Sequence, residues 1–289
     1  MILKERNLRD PWRKDIRSPM IQVGPDIYAK LETSNPTGSV KDRLIQHIVK
    51  KAIKQGAVTS DTVFVEATSG NTGISLSAMA ASLGLKTKII MPRNMSEERR
   101  QMMRAFGAEI LDVENSDFAA AIEKRNELLK ASSNYWSPMQ FENIENVECH
   151  RTLTGPEIIE QLNGMPFAAF VSGAGTGGTI MGVRKAVIER KLNTHMVLVQ
   201  PAEDAKSHGI QGINDGADFL AKPDLLDMQI QVTTAEAVNR AKKFAKTRGV
   251  LIGISAGANL CAAEKYSKIY KPDGAIVTML CDRGERYLS

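Results

Sequence analysis

Lys41 stands in the run Ser34-Asn35-Pro36-Thr37-Gly38-Ser39-Val40-Lys41-Asp42-Arg43, where Asn-Pro and Thr-Gly dipeptides make a turn and Ser39 is placed to cap a helix. The apolar spacing of Leu44, Ile45, Ile48 and Val49 announces that helix, so Lys41 falls in its first turn. The positive end of a helix opposes an ammonium charge there. An amine that sheds its proton readily suits imine chemistry, although the same lysine also reads as an ordinary surface group beside Asp42 and Arg43. Two further runs, Thr68-Ser69-Gly70-Asn71-Thr72-Gly73 and Gly175-Thr176-Gly177-Gly178-Thr179, each follow an apolar stretch and open a helical pattern. Glycines let backbone N–H groups converge on an anion, and a helix N-terminus adds partial positive charge, so both runs read as anion cradles or as simple tight turns. Residues 175–179 add the hydroxyls of Thr176 and Thr179 and lack the lysine of a Walker loop, which suits phosphate without a nucleotide.

The elements that must position these runs alternate along the chain. Strands are expected at residues 26–32, 62–66 and 167–171, leading in turn to the lysine turn and the two glycine runs. Further strands are expected at 87–91, 108–113, 195–200, 228–232, 251–254 and 274–280. Helices are expected at 40–54, at 72–83 closed by Gly84, from Ser96 to Gly107, at 118–129, from Thr154-Gly155-Pro156-Glu157, at 178–190, at 234–247 and from 257. Strands and helices joined by such short connections imply parallel sheets covered on both faces. The fold class expected is α/β, with two three-layer α/β domains of mainly parallel twisted sheets at residues 1–145 and 146–289, and the site in the cleft between them. The first fifteen residues carry no period and read as an arm.

Composition narrows the function classes. A chain of 289 residues with 43% hydrophobic and 25% charged residues is long enough for one large or two modest cores. The net charge of +5 comes from interspersed signs with 5% aromatic residues, which argues against a nucleic-acid surface and fits small anionic ligands. Cys149, Cys261 and Cys281 are far apart and odd in number, so neither a disulfide framework nor a metal cluster is expected, and a reducing cytoplasm is. His47, His150, His195 and His208 are scattered and read as structural or exposed groups rather than bases. The N-terminus lacks an apolar signal core, and no segment approaches the length of a membrane span.

In order and spacing the three runs resemble the cysteine synthase (O-acetylserine sulfhydrylase) family of pyridoxal-phosphate enzymes, from about Ile16 to Ser289. The resemblance implies pyridoxal 5'-phosphate as cofactor, held as an imine by Lys41, with its phosphate on Gly175, Thr176, Gly177, Gly178 and Thr179. It also implies that Asn71 meets the ring oxygen and Ser255 the ring nitrogen, where a neutral hydroxyl steers chemistry toward elimination at Cβ. Thr68, Ser69, Gly70 and Thr72, with Gln140, would bind the substrate carboxylate. The implied reaction is β-replacement of O-acetyl-L-serine by sulfide through an aminoacrylate, giving L-cysteine, with Lys41 moving the Cα proton. Residues 66–70, 91–96 and 281–289 are similar to B-type enzymes, whereas Gly209-Ile210-Gln211-Gly212-Ile213 is similar to A-type ones. Asp218-Phe219, with Asp215 before it, resembles the cystathionine β-synthase branch and sulfide-releasing enzymes, implying L-serine or L-cysteine as an alternative substrate. A homodimer is implied, and a serine acetyltransferase tail is the partner a non-catalytic reading would need.

Overall fold

The computed structural model describes residue 3 and residues 11–68, 70–114, 118–204, 207–213 and 219–288. Ser69, Asp215 and Asp218 lie outside the described residues. The chain divides into two units, one of Met1–Ile16 with Asn35–Met139 and one of Arg17–Ser34 with Gln140–Ser289. Strands β1 (Met20–Gln22) and β2 (Ile27–Leu31) form an antiparallel pair that belongs to the second unit. This differs from a single cut near residue 145, and the cause is pairing. β2 runs parallel to the last strand of the chain, with Ala29 opposite Thr278. Lys30 on β2 is buried and meets Glu157 at 2.6 Å, Gln161 at 2.7 Å and the Ser18 carbonyl at 2.6 Å. A buried ammonium is tolerated only when its donors are satisfied, so this network fixes where residues 17–34 belong.

In the first unit, α1 (Lys41–Lys54) precedes β3 (Val63–Ala67), α2 (Asn71–Leu83), β4 (Lys86–Pro92), α3 (Glu97–Ala105), β5 (Glu109–Val113), α4 (Phe118–Ala131) and β6 (Tyr135–Trp136). The sheet order is β5-β4-β3-β6, all parallel. Alternation along the strands splits the core. Phe64 and Ile89 join Ile45, Val49, Ile74, Met79 and Met103 of α1 to α3, whereas Val65, Ala67 and Ile90 join Ala121 of α4. Trp12 and Ile16 are buried in the first of these cores, and Gln46 of α1 donates to the carbonyls of Trp12 and Lys14 while accepting from the Ile16 N–H. Trp12 and Ile16 are therefore core, and the exposed residues 13–15 between them are tied to α1 rather than free as an arm.

The second unit continues with α5 (Glu145–Cys149), a π turn (His150–Thr154), α6 (Gly155–Gln161), β7 (Phe167–Gly173), α7 (Gly178–Glu189), β8 (His195–Pro201), β9 (Met228–Val232), α8 (Thr234–Arg248), α9 (Ile254–Tyr270) and β10 (Ala275–Leu280). The sheet order is β1-β2-β10-β7-β8-β9, parallel except for β1. Ala169, Val171, Val197, Val199 and Ile276 pack on Ala258, Ala262 and Tyr266 of α9, and α7 covers β7 and β8. α6 begins at Gly155, where the sequence places a helix start, but α5 and the π turn precede it without a break. One expectation is corrected: residues 251–254 form no strand, since Ile252 makes an isolated antiparallel bridge to Arg283 and α9 starts at Ile254.

Candidate active site

Lys41 is the first residue of α1 and is half-buried, with no partner for its ammonium among the described residues. Its backbone N–H donates to the Ser39 hydroxyl at 3.3 Å. The loop before it is fixed by its neighbour. Asp42 is fully buried, and its carboxylate accepts from the Thr37 N–H at 2.7 Å and from the hydroxyls of Thr37 and Ser75 at 2.5 Å each. Ser75 lies one turn inside α2, so a single carboxylate ties the lysine turn to the helix that Asn71 begins. Gly38 has φ 86°, and its N–H reaches the Asn35 carbonyl at 2.8 Å; a left-handed residue in this tight turn is why glycine stands there.

Residues 68–73 follow β3 and open α2 without a side-chain cap among the described residues. Thr68 and Thr72 are buried, and the Thr68 hydroxyl accepts from the Gly70 N–H at 3.3 Å. N–H groups at an uncapped helix start want an acceptor, and an anion supplies one.

The turn at 175–179 follows β7 and opens α7, again without a side-chain cap among the described residues. Two of its glycines, Gly177 and Gly178, are required. A Cβ on Gly178 would lie 1.9 Å from Asn146 Oδ1, and one on Gly177, at φ 86°, 2.2 Å from the Ala221 N. The turn's backbone is thus pressed against α5 on one side and against residues 220–221 on the other, where the Leu220 N–H donates to the Thr176 carbonyl at 3.0 Å. Gly182 and Gly155 bring α7 against the π turn and the start of α6, since a Cβ at 182 would lie 2.4 Å from His150 Cβ and one at 155 would lie 2.4 Å from Ala186 Cβ. Outside, Glu148 meets Arg151 at 2.6 Å and Lys185 at 3.1 Å. Burial pushes its carboxyl up, but these two cations outweigh that and hold it below the ordinary range.

Ser255 is buried in the first turn of α9, with no hydrogen-bond partner for its hydroxyl among the described residues. Gly253 caps that helix and gives its N–H to the Asp282 carbonyl at 3.0 Å. Gln140 is buried, and its carbonyl accepts from Asn146 Nδ2 at 2.9 Å. Met139, just before it, holds φ 50°, a left-handed value that costs a non-glycine residue energy.

The model of the family described as pyridoxal-phosphate dependent enzyme matches residues 16–282. The chain belongs to this family. A cysteine synthase B from Campylobacter jejuni is 43% identical over 286 residues, covering 94% of this chain and 94% of that protein. Among solved structures, O-acetylserine sulfhydrylase isoform 3 from Entamoeba histolytica is 35% identical with a TM-score of 0.86, covering 96% of this chain and 89% of that one. A hydrogen sulfide-producing enzyme from Fusobacterium nucleatum is 36% identical with a TM-score of 0.86, covering 94% and 95%.

The residues present fit the family's cofactor. A phosphate monoester needs converging N–H donors with no side chain in the way, which the turn at 175–179 offers at the carboxyl end of a parallel strand. An aldehyde needs an amine that is not committed to an ion pair, and Lys41 has none among the described residues. The Ser255 hydroxyl, without a hydrogen-bond partner among the described residues, suits a pyridine nitrogen. Sequence reasoning missed Asn146 and His150, both buried and both bonded to the threonines of the α7 turn. Their i, i+4 spacing would have shown them on one face once the helix was started at Glu145.

Proposed function

We propose that this chain forms L-cysteine from O-acetyl-L-serine and sulfide by β-replacement. The observation that carries the reading is Lys41, an amine without a partner among the described residues, held at a helix start by the buried Asp42. Bound pyridoxal phosphate supplies the electron sink for the pair left at Cα when its proton departs. Thr176 and Thr179, with the N–H groups of residues 175–179, hold the phosphate, Asn71 meets the ring oxygen, and Ser255 faces the ring nitrogen. Backbone N–H groups of the α2 turn and the hydroxyls of Thr68, Ser69 and Thr72 bind the substrate carboxylate together with Gln140. Lys41 Nζ takes the Cα proton and keeps it close to the reacting carbons, which favours loss of the β-substituent. A homodimer and docking of serine acetyltransferase rest on the family resemblance, and a cytoplasmic location rests on the three scattered cysteines.

A second reading is sulfide release from L-cysteine, or replacement at L-serine. Similarity to the Fusobacterium nucleatum enzyme and the presence of Asp218 support it. One experiment separates the two: the visible spectrum of the cofactor-loaded protein, recorded without sulfide, before and after O-acetylserine, serine or cysteine. A stable change with O-acetylserine alone supports cysteine synthesis. A change with cysteine or serine but none with O-acetylserine overturns it in favour of the second reading.

A further inference from the structure

Both threonines of the α7 turn are bonded from behind by one helical segment. Asn146 of α5 gives Nδ2 to the Gln140 carbonyl at 2.9 Å and to Thr176 Oγ1 at 3.0 Å. A carbonyl oxygen only accepts, so it fixes which end of the amide faces it, and Thr176 therefore accepts as well. The Gly178 N–H also reaches Thr176 Oγ1 at 3.4 Å. Both lone pairs of that hydroxyl are then engaged, and its proton is left for another acceptor.

His150 stands one turn further on, 2% exposed, with Nδ1 2.9 Å from Thr154 Oγ1 and Nε2 3.2 Å from Thr179 Oγ1. Its neutral ring has two forms with opposite consequences. With the proton on Nδ1, the bare Nε2 takes the only proton of Thr179, and the hydroxyl would turn lone pairs toward an anion. With the proton on Nε2, Thr154 donates to Nδ1, Thr179 accepts from Nε2, and the Thr179 proton is free. The π turn and Gly182 allow this reach, because a Cβ at 182 would strike His150 Cβ and the Val147 carbonyl. π turns recur where a helix is reshaped for a functional residue.

We propose that Asn146 and His150 are positioning residues that orient the hydroxyl protons of Thr176 and Thr179 outward, toward the phosphate of the cofactor, with His150 protonated on Nε2. The inference rests on the function proposed above. Neither residue touches the ligand; each decides what a hydroxyl presents to it.

The test compares pyridoxal phosphate with pyridoxal, which lacks the phosphate, by spectroscopic titration of the apoprotein. Asn146→Ala and His150→Leu are expected to weaken pyridoxal phosphate about tenfold or more while leaving pyridoxal unchanged, as for loss of a hydrogen bond to a charged group. His150→Gln, which returns an amide N–H near the position of Nε2, is expected to recover most of the affinity. Equal weakening of both aldehydes, or no weakening of either, overturns the proposal. Should the variants fail to fold, nitrogen NMR of the wild-type histidines decides it: a protonated Nε2 on His150 is expected, and a bare Nε2 overturns it. A wild-type protein that binds neither aldehyde overturns the proposed function itself, and this inference with it.

Discussion

The two glycine-rich helix starts are built differently. At α7 the backbone is clamped, with Gly177 against Ala221 and Gly178 against Asn146, and both threonine hydroxyls bond to side chains of α5 and the π turn. At α2 a Cβ on Gly70 would find its nearest neighbour, Arg99 Nη1, at 4.0 Å, and the Thr68 hydroxyl bonds within its own turn. A ligand that stays for the life of the enzyme gains from a site organised in advance, whereas one that enters and leaves at each turnover needs a turn that can adjust. We read α7 as the resident phosphate site and α2 as the transient carboxylate site.

The comparison breaks most visibly at the glycines. Gly177→Ala combines a left-handed backbone with overlap on the Ala221 backbone, and we expect a cost of about 3 kcal/mol or more, seen as loss of cofactor affinity or of the fold. Gly70→Ala should leave cofactor affinity within about threefold, consistent with open space there, and act on substrate KM instead. Similar losses of cofactor affinity in the two variants would erase the distinction.

Next in size is Asp42, which ties the lysine turn to Ser75 of α2. Asp42→Asn replaces an acceptor of hydrogen bonds from Thr37 and Ser75 with a group that also donates, and we expect about 2 kcal/mol of destabilisation in urea unfolding. Ser75→Ala should cost about 1 kcal/mol and raise substrate KM more than cofactor Kd.

The smallest effect belongs to a helix start that is closed. Thr233 accepts from the Glu236 N–H at 3.1 Å, and Glu236 accepts from the Thr233 N–H at 2.8 Å, so α8 is capped by its own side chains. Thr233→Ala should lower stability by about 1 kcal/mol and leave cofactor affinity unchanged. Lys265 and the Thr233 backbone hold the Glu236 carboxyl below its ordinary value of 4.5. A depressed folded value means the stabilisation is complete above 4.5 and fades as pH falls through the lower folded value. Acid unfolding of Glu236→Gln should therefore lack that part of the pH dependence, and identical acid curves for variant and wild type would contradict it.

The alternation of strands and helices and the three turns were legible because each depends on local chemistry: β9 and the starts of α2 and α7 fall within one residue of where the sequence places them. The segment that holds the α7 threonines was not legible. Thr154-Gly155-Pro156-Glu157 carries a strong start signal, yet the chain is already helical at Glu145, and the π turn admits Pro156 just beyond it. Residues 251–254 form an apolar run whose pairing is decided by a distant Arg283, and the membership of residues 17–34 rests on Thr278 and Glu157, more than a hundred residues away in sequence. Such partners are set by tertiary contacts that local propensity does not encode. Ser69 and Asp218 lie outside the described residues, and their proposed roles rest on the sequence.

The most direct test of the whole account is a crystal structure of the protein loaded with pyridoxal phosphate. We predict the phosphate in the turn at residues 175–179 and the aldehyde carbon bonded to Lys41 Nζ. A phosphate in the turn at residues 68–72, or an aldehyde carried by another lysine, would contradict it.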